Sequence, residues 1–183
     1  VNYKKCSINS IIDNSFSEFR EAMTLENKEG VALLTEEQLT DKSDILIDHS
    51  RVTRVLQSLF QNALNNTKSG YIKIGYYFND RNVTFYVLDS GQDYNKSREF
   101  LYTEDMDKSL TKYFDTATAI NIIIAKKSVQ ILGGKIWLDS NYPSGTGVYF
   151  SVPFKEVESK DILTKKMMQK QLCGHEFHLH SSN

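Results

Sequence analysis

A chain of 183 residues suffices for one domain with a sizeable core and short extensions, and a formal net charge of −1 with scattered Lys and Arg leaves no footprint for nucleic acid or an acidic membrane surface. Charged residues at 25% and apolar residues at 40% are ordinary for a soluble globular protein. Cys6 and Cys173, near opposite ends, form no disulfide framework, and neither a membrane-length apolar run nor a signal peptide in the polar residues 1–10 is read.

In chain order, Ile8, Ile11, Ile12, Phe16 and Phe19 recur at helical spacing and predict an amphipathic helix over 8–22. Short strands are expected near Val31–Leu34 and Asp44–Ile47, with a polar loop between them. Residues 50–66 carry the clearest helix: Val52, Val55, Leu56, Leu59, Phe60, Ala63 and Leu64 form one apolar stripe. Ile72, Ile74, Tyr76 and Phe78 then alternate, Asp80-Arg81-Asn82 turns, and Val83–Leu88 returns as a second strand, predicting an antiparallel hairpin. Residues 90–116 are polar and weakly periodic, and a connection of that length is usually functional. A helix over 118–132 stops at Gly133-Gly134, and Lys135–Ser140 and Val148–Phe154 read as strands. Ile122-Ile123-Ile124 and Trp137 are expected in the core, and the tail from Lys155 onward is expected to be a loosely attached polar extension.

Four features carry chemistry. Ser58, Asn62 and Asn65 share a polar face beside the apolar stripe, so they can look into a cleft. In VLDSG, Val87 to Gly91, a strand ends in Asp89, whose carboxylate can accept a hydrogen bond from an exocyclic amine, and Gly91 allows a turn. The long segment after it is placed as a lid. GGKIW and SGTGVYFSVP, which contains Gly145, supply a helix end and a closing hairpin.

These segments resemble the catalytic ATP-binding domain of two-component sensor histidine kinases, within the GHKL ATPase superfamily that includes gyrase. The matching stretches are DHSRVTRVLQSLFQNAL (48–64), GYIKIGYYFNDRNVTFYVLDSG (70–91), AKKSVQILGGKIWLDS (125–140) and SGTGVYFSVPF (144–154), in the family's order and spacing. The resemblance implies an α/β two-layer sandwich of the GHKL (Bergerat) type, with a mixed, mostly antiparallel sheet and helices on one face. It implies a domain over residues 1–154 with a lid at about 92–121, and a flexible extension over 155–183. It places Asn62 as the Mg²⁺ ligand and Asp89 at the adenine amine, beside Gly91. The remaining nucleotide positions are Asn65, Thr118, Ala119, Asn121 and Gly145, with phosphates at a helix N-terminus. It implies ATP with Mg²⁺ as cofactor and a phosphoacceptor His on a helical hairpin elsewhere in the parent protein. It also implies a response regulator, a homodimer formed through the parent, and a cytoplasmic location with a parent that can be anchored in the inner membrane. Neither nucleic acid nor membrane contact by this segment is expected.

Departures concentrate on phosphate and metal. The family's GTGLGL falls on Ala117, Thr118, Ala119, Ile120, Asn121 and Ile122, so all three glycines are gone. The D-x-G-x-G pattern reads Asp89-Ser-Gly91-Gln-Asp93, which puts a carboxylate near polyphosphate. Ser58 stands where Asn or Glu is usual and cannot act as a general base at neutral pH. Asn65 replaces a cation, and Gly147 replaces a usual Thr. The expectation is a fold retained with weak or absent ATP binding. The alternative is a non-catalytic signalling module whose former cleft binds a helical hairpin or a response regulator; a gyrase-like ATPase is disfavoured by Ser58. Asp89 could instead be a plain turn carboxylate, and Asn62 could merely satisfy local backbone. In the tail, Cys173, His175, His178 and His180 invite zinc, but usual sites draw ligand pairs from two separated knuckles, so no zinc is expected. His175-Glu176-Phe177 faintly echoes a phosphoacceptor motif, but lacks the following Arg and Pro.

Overall fold

The apolar stripe of residues 52–64 nucleates the architecture. In the computed structural model, which describes residues 1–36, 44–91, 116–139, 142 and 145–157, helix α2 runs His49–Asn66. All seven stripe residues are at most 2% exposed, and burying each Val, Leu or Phe side chain among them is worth roughly 1.5–3 kcal/mol. Asp48 caps α2: its Oδ1 accepts from the Arg51 N–H at 3.2 Å. Its Oδ2 accepts from the Asn2 N–H at 2.7 Å and pairs with the Arg51 Nε at 3.3 Å. At the other end, the Lys28 ammonium donates to the Leu64 and Thr67 carbonyls at 2.8 and 3.3 Å, satisfying orphan acceptors of the last turn.

Helix α1 (Ile8–Leu25) continues three residues past the expected end. Asn27 closes it at φ 54°, with the Lys28 N–H reaching back to Met23 O at 3.0 Å. The ring of Phe19 stacks on Phe60 of α2 with centroids 3.9 Å apart. Helix α3 (Thr116–Ile131) lies on the other side of α2, so α2 is the middle helix. Gly133 at φ 73° ends this last segment, and the Gly134 N–H bonds Val129 O at 3.0 Å.

Beneath the helices lies a five-stranded sheet in the order β2-β4-β5-β7-β6. Its strands are β2 (Val31–Thr35), β4 (Gly70–Asn79), β5 (Asn82–Asp89), β6 (Lys135–Leu138) and β7 (Thr146–Pro153). The β2–β4 pair is parallel and the other three pairs are antiparallel, so the sheet is mixed and mostly antiparallel. The expected hairpin is β4–β5, closed by Asp80 at φ 50°. The pleat turns Ile72, Ile74 and Tyr76, then Val83, Phe85 and Val87, then Val148, Phe150 and Val152 toward the helices, all at most 5% exposed. The Tyr76 hydroxyl donates to Asn9 Oδ1 of α1 at 2.6 Å, tying sheet to helix layer. A small antiparallel sheet, β1-β3-β8, joins β1 (Lys4–Cys6), β3 (Ile45–Ile47) and β8 (Lys155–Glu156).

Trp137 is not a core residue. The pleat that buries Leu138 turns Trp137 to the sheet face away from the helices, half-buried, where it stacks on Tyr149 with centroids 5.8 Å apart. That face is floored by tyrosines. Tyr86 lies across Gly75, and its hydroxyl donates to Glu36 at 2.8 Å; Tyr71 and Tyr142 are joined through their hydroxyls. Burial and the Glu36 carboxylate push the Tyr86 hydroxyl above its ordinary value.

Candidate functional site

Asp89 is the last residue of β5, with Ile72 of β4 and Thr146 of β7 as its register partners. It continues the column of Val83, Phe85 and Val87, so its carboxylate emerges on the helix face, beside the C-terminus of α2. It is 2% exposed, and no Lys or Arg among the described residues pairs with it. Burial therefore dominates and pushes it up to about 6. The Gly91 N–H, which donates to its Oδ1 at 2.8 Å, opposes that rise, as do the neighbouring Thr146 backbone and Thr67 side chain.

Two glycines make this arrangement possible. A Cβ on Gly91 would fall 2.6 Å from Asn66 O and 2.8 Å from Asp89 Oδ1. Gly145 has φ +124°, and a Cβ there would fall 1.8 Å from Asp89 O. Any side chain at either position displaces the backbone around the carboxylate.

On α2, Asn62 is 2% exposed and its Oδ1 has no hydrogen-bond partner among the described residues. An unmet buried acceptor costs about 1–3 kcal/mol, which a cation or a water would relieve. One turn earlier, the Ser58 hydroxyl is 7% exposed and donates back to Arg54 O at 2.9 Å, so its proton is committed to the helix. Asn65 is exposed, and its Oδ1 accepts from Gln61 Nε2 at 3.2 Å; Gln61 also donates to Glu26 beside α1. Asn62 and Asn65 thus end in different environments, the one buried and the other in a surface network.

Helix α3 starts at Thr116, two residues before the expected start. Thr118 and Ala119 fall in its first turn, and Asn121, half-buried, follows in the second. Residues 116–117, read from sequence as part of the lid, therefore join the helix expected over 118–132. Alanine at 117 and 119 propagates a helix where glycine would resist it. The rest of the lid, including Asp93, and the tail residues Cys173, His175, His178 and His180 lie outside the described residues. Among the described residues no group of three or more His, Cys, Asp or Glu could hold a metal. A divalent cation here would thus rest on Asn62 Oδ1 and on oxygens of its own ligand.

Two residues went unread in the sequence. Thr67, 0% exposed, directly follows α2, and its hydroxyl reaches Ala63 O at 2.7 Å. Thr146, 1% exposed, adjoins the Gly147 position where a threonine seemed missing, and the pairing sets it opposite Asp89. The signals were a hydroxyl residue four places after an apolar helix position and a register count along β5 and β7.

This arrangement defines a nucleotide-binding ATPase fold. A family model described as histidine kinase-, DNA gyrase B-, and HSP90-like ATPase matches residues 47–156. The chain belongs to this family, as a catalytic ATP-binding domain of the sensor histidine kinase kind. It is 32% identical over 123 residues to the sensor histidine kinase WalK of Bacillus subtilis (strain 168), covering 63% of this chain and 20% of that protein. It is 30% identical over 112 residues to cyanobacterial phytochrome B of Nostoc sp., covering 59% of this chain and 15% of that protein. The chain thus spans a fifth or less of the length of these two relatives. Among solved structures, the nucleotide-free catalytic domain of histidine kinase ThkA superposes with a TM-score of 0.66 at 24% identity, covering 84% of this chain and 98% of that one. A complex of the same kinase with response regulator protein TrrA superposes at 0.59 and 25% identity, covering 82% of this chain and 41% of that one. No helix among the described residues is long and apolar enough to cross a membrane.

Proposed function

We propose that the end of β5 and the C-terminal half of α2 take the adenine end of a nucleotide, and that the domain holds ATP weakly. The observation that carries this is Asp89: a carboxylate 2% exposed, without a cation, held by the Gly91 N–H at a strand end. Such a group is poised to accept from an exocyclic amine. Gly91 and Gly145 keep side chains away from it. Asn62 Oδ1, an orphaned buried acceptor, fits a Mg²⁺ ion. When bound, that ion would neutralise charge on the phosphates. Thr118, Ala119 and Asn121 lie at the helix start that would face those phosphates.

The weakness follows from the other end of the site. A regular helix replaces a glycine-rich loop, Asn65 supplies no cation, and the Ser58 proton is directed at Arg54 O. In an active parent protein the γ-phosphoryl would pass to a His on a separate helical hairpin, and from there to a response regulator. Such a parent would work as a homodimer in the cytoplasm, where ATP is supplied. Residues 1–154, extended by the β8 strand, would be the nucleotide-binding unit, and the rest of the tail an extension.

The missing glycines, with Ala117 and Ala119 inside helix α3, favour a second reading, a non-catalytic module that uses this fold to bind a helical hairpin or a response regulator. Calorimetry with ADP on the wild-type chain and on Asp89→Asn separates the two. The nucleotide reading expects measurable binding that is lost in the variant. Absence of ADP binding in both proteins contradicts it and favours the second reading.

A further inference from the structure

The β4–β5 ladder ends on an irregular rung. Its register runs from Asn79 opposite Asn82 to Ile72 opposite Asp89, so Tyr71 and Ser90 meet next. A regular hydrogen-bonded pair exchanges two backbone bonds. Here the Ser90 N–H donates to Tyr71 O at 3.1 Å, but the Tyr71 N–H donates to Ser90 Oγ at 2.9 Å. The hydroxyl thus stands in for the residue's own carbonyl. Its proton faces the Tyr71 and Ser69 carbonyls, at 3.3 and 3.4 Å.

A rung closed by a side chain leaves the backbone free to turn directly after Asp89. The Gly91 N–H then folds back on Asp89 Oδ1 at 2.8 Å. The neighbouring backbone keeps room for this turn. Gly70 has φ +112°, and a Cβ there would fall 2.1 Å from Ser90 Oγ, in the place the hydroxyl occupies. A Cβ on Gly145 would fall 2.8 Å from Ser90 Cα.

We infer that Ser90 is the positioning residue of Asp89. Its hydroxyl closes the ladder in place of its carbonyl, and so fixes the turn in which the Gly91 N–H holds the carboxylate. Ser90 acts through Asp89 rather than on a ligand. Its purpose rests on the nucleotide reading, in which Asp89 accepts from an exocyclic amine; its geometry does not.

The test compares the full chain with Ser90→Ala, which removes the hydroxyl, and Ser90→Thr, which keeps it. The first readout is amide hydrogen exchange followed by NMR without nucleotide. In Ser90→Ala, exchange at the Gly91 N–H should quicken about tenfold while amides in the middle of β5 keep their wild-type rates, and Ser90→Thr should restore Gly91. The second readout is ADP affinity at pH 7, expected to be about fivefold weaker in Ser90→Ala and within about twofold of wild type in Ser90→Thr. The inference is overturned if Gly91 exchange is unchanged in Ser90→Ala, quickens equally in both variants, or quickens together with the whole of β5. Unchanged ADP affinity in Ser90→Ala, against a wild type that binds, overturns it too. A wild-type chain that does not bind ADP contradicts the nucleotide reading alone, and Gly91 exchange still decides the role of Ser90.

Discussion

Two aspartates in this domain are shielded from solvent to almost the same degree, one near the surface and one deep, and respond in opposite ways. Asp48, 3% exposed, starts α2, whereas Asp89, 2% exposed, ends β5 beside the far end of that helix. At Asp48, burial is the largest single influence and pushes upward, but the Asn2 and Arg51 N–H groups, the Arg51 guanidinium and the charge of the Val1 amino group together outweigh it. The carboxyl therefore sits below its usual range. At Asp89 there is no guanidinium, its neutral neighbours do not offset burial, and the carboxyl rises to about 6. Depth and an answering charge together separate a structural carboxylate from a poised one: Asp48 lies near the surface beside Arg51, whereas Asp89 lies deeper and has no cation. Asp48 has an answering charge and holds the helix together. Asp89 has no such charge beside it, and a donor on a ligand would stabilise its ionised form.

The comparison breaks most visibly at Asp48. Asp48→Ala removes the cap and leaves two N–H groups and a guanidinium without their acceptor. It should cost about 3 kcal/mol of stability in urea denaturation at pH 7. A loss under about 0.5 kcal/mol would place the two aspartates in one class.

The next largest effect is a pH slope. The Asp89 carboxyl has a raised folded value, so its contribution is fully present below the unfolded value and is lost as pH rises through the folded one. Between about pH 4 and about pH 6 the domain should lose about 2–3 kcal/mol from this group. Asp89→Asn should abolish that slope. Asp48 has the opposite sign: its contribution is present above the unfolded carboxylate value and is lost as pH falls through the lower folded one. Measuring urea midpoints from pH 3 to pH 8 in wild type and Asp89→Asn separates the two limbs.

The smallest effect sharpens the contrast. Arg51 reaches Asp48 with a side chain 41% exposed, so solvent screens much of the pair. Arg51→Met should cost only about 0.5–1 kcal/mol, and should move the Asp48 titration upward in carboxyl NMR. No movement there would mean that the N–H donors alone hold Asp48 down.

The same contrast shows what the sequence could reveal. The α2 stripe and the β4–β5 hairpin were legible because burial imposes a period of 3.6 or 2 on their residues. Asp89, Gly91, Asn62 and Gly145 could be singled out because they stand in recognisable motifs. The three-residue β1 and two-residue β8 were not legible, since strands that short carry no period. The partners that set the charge of Asp89 were hidden as well. Thr67 and Thr146 reach it only through a helix end and a strand register, and no local pattern announces either. Trp137 was misassigned because the sheet has two faces, and the outer one is floored by tyrosine rings rather than left polar.

The most direct test of the account is calorimetric titration of the full chain with MgATP at pH 7. The account predicts binding no tighter than about 100 μM, roughly −5.5 kcal/mol, because the base end is built while the phosphate end has lost its glycines and its cation. Low-micromolar or tighter binding would contradict it, showing that the helical start of α3 still serves as a phosphate seat.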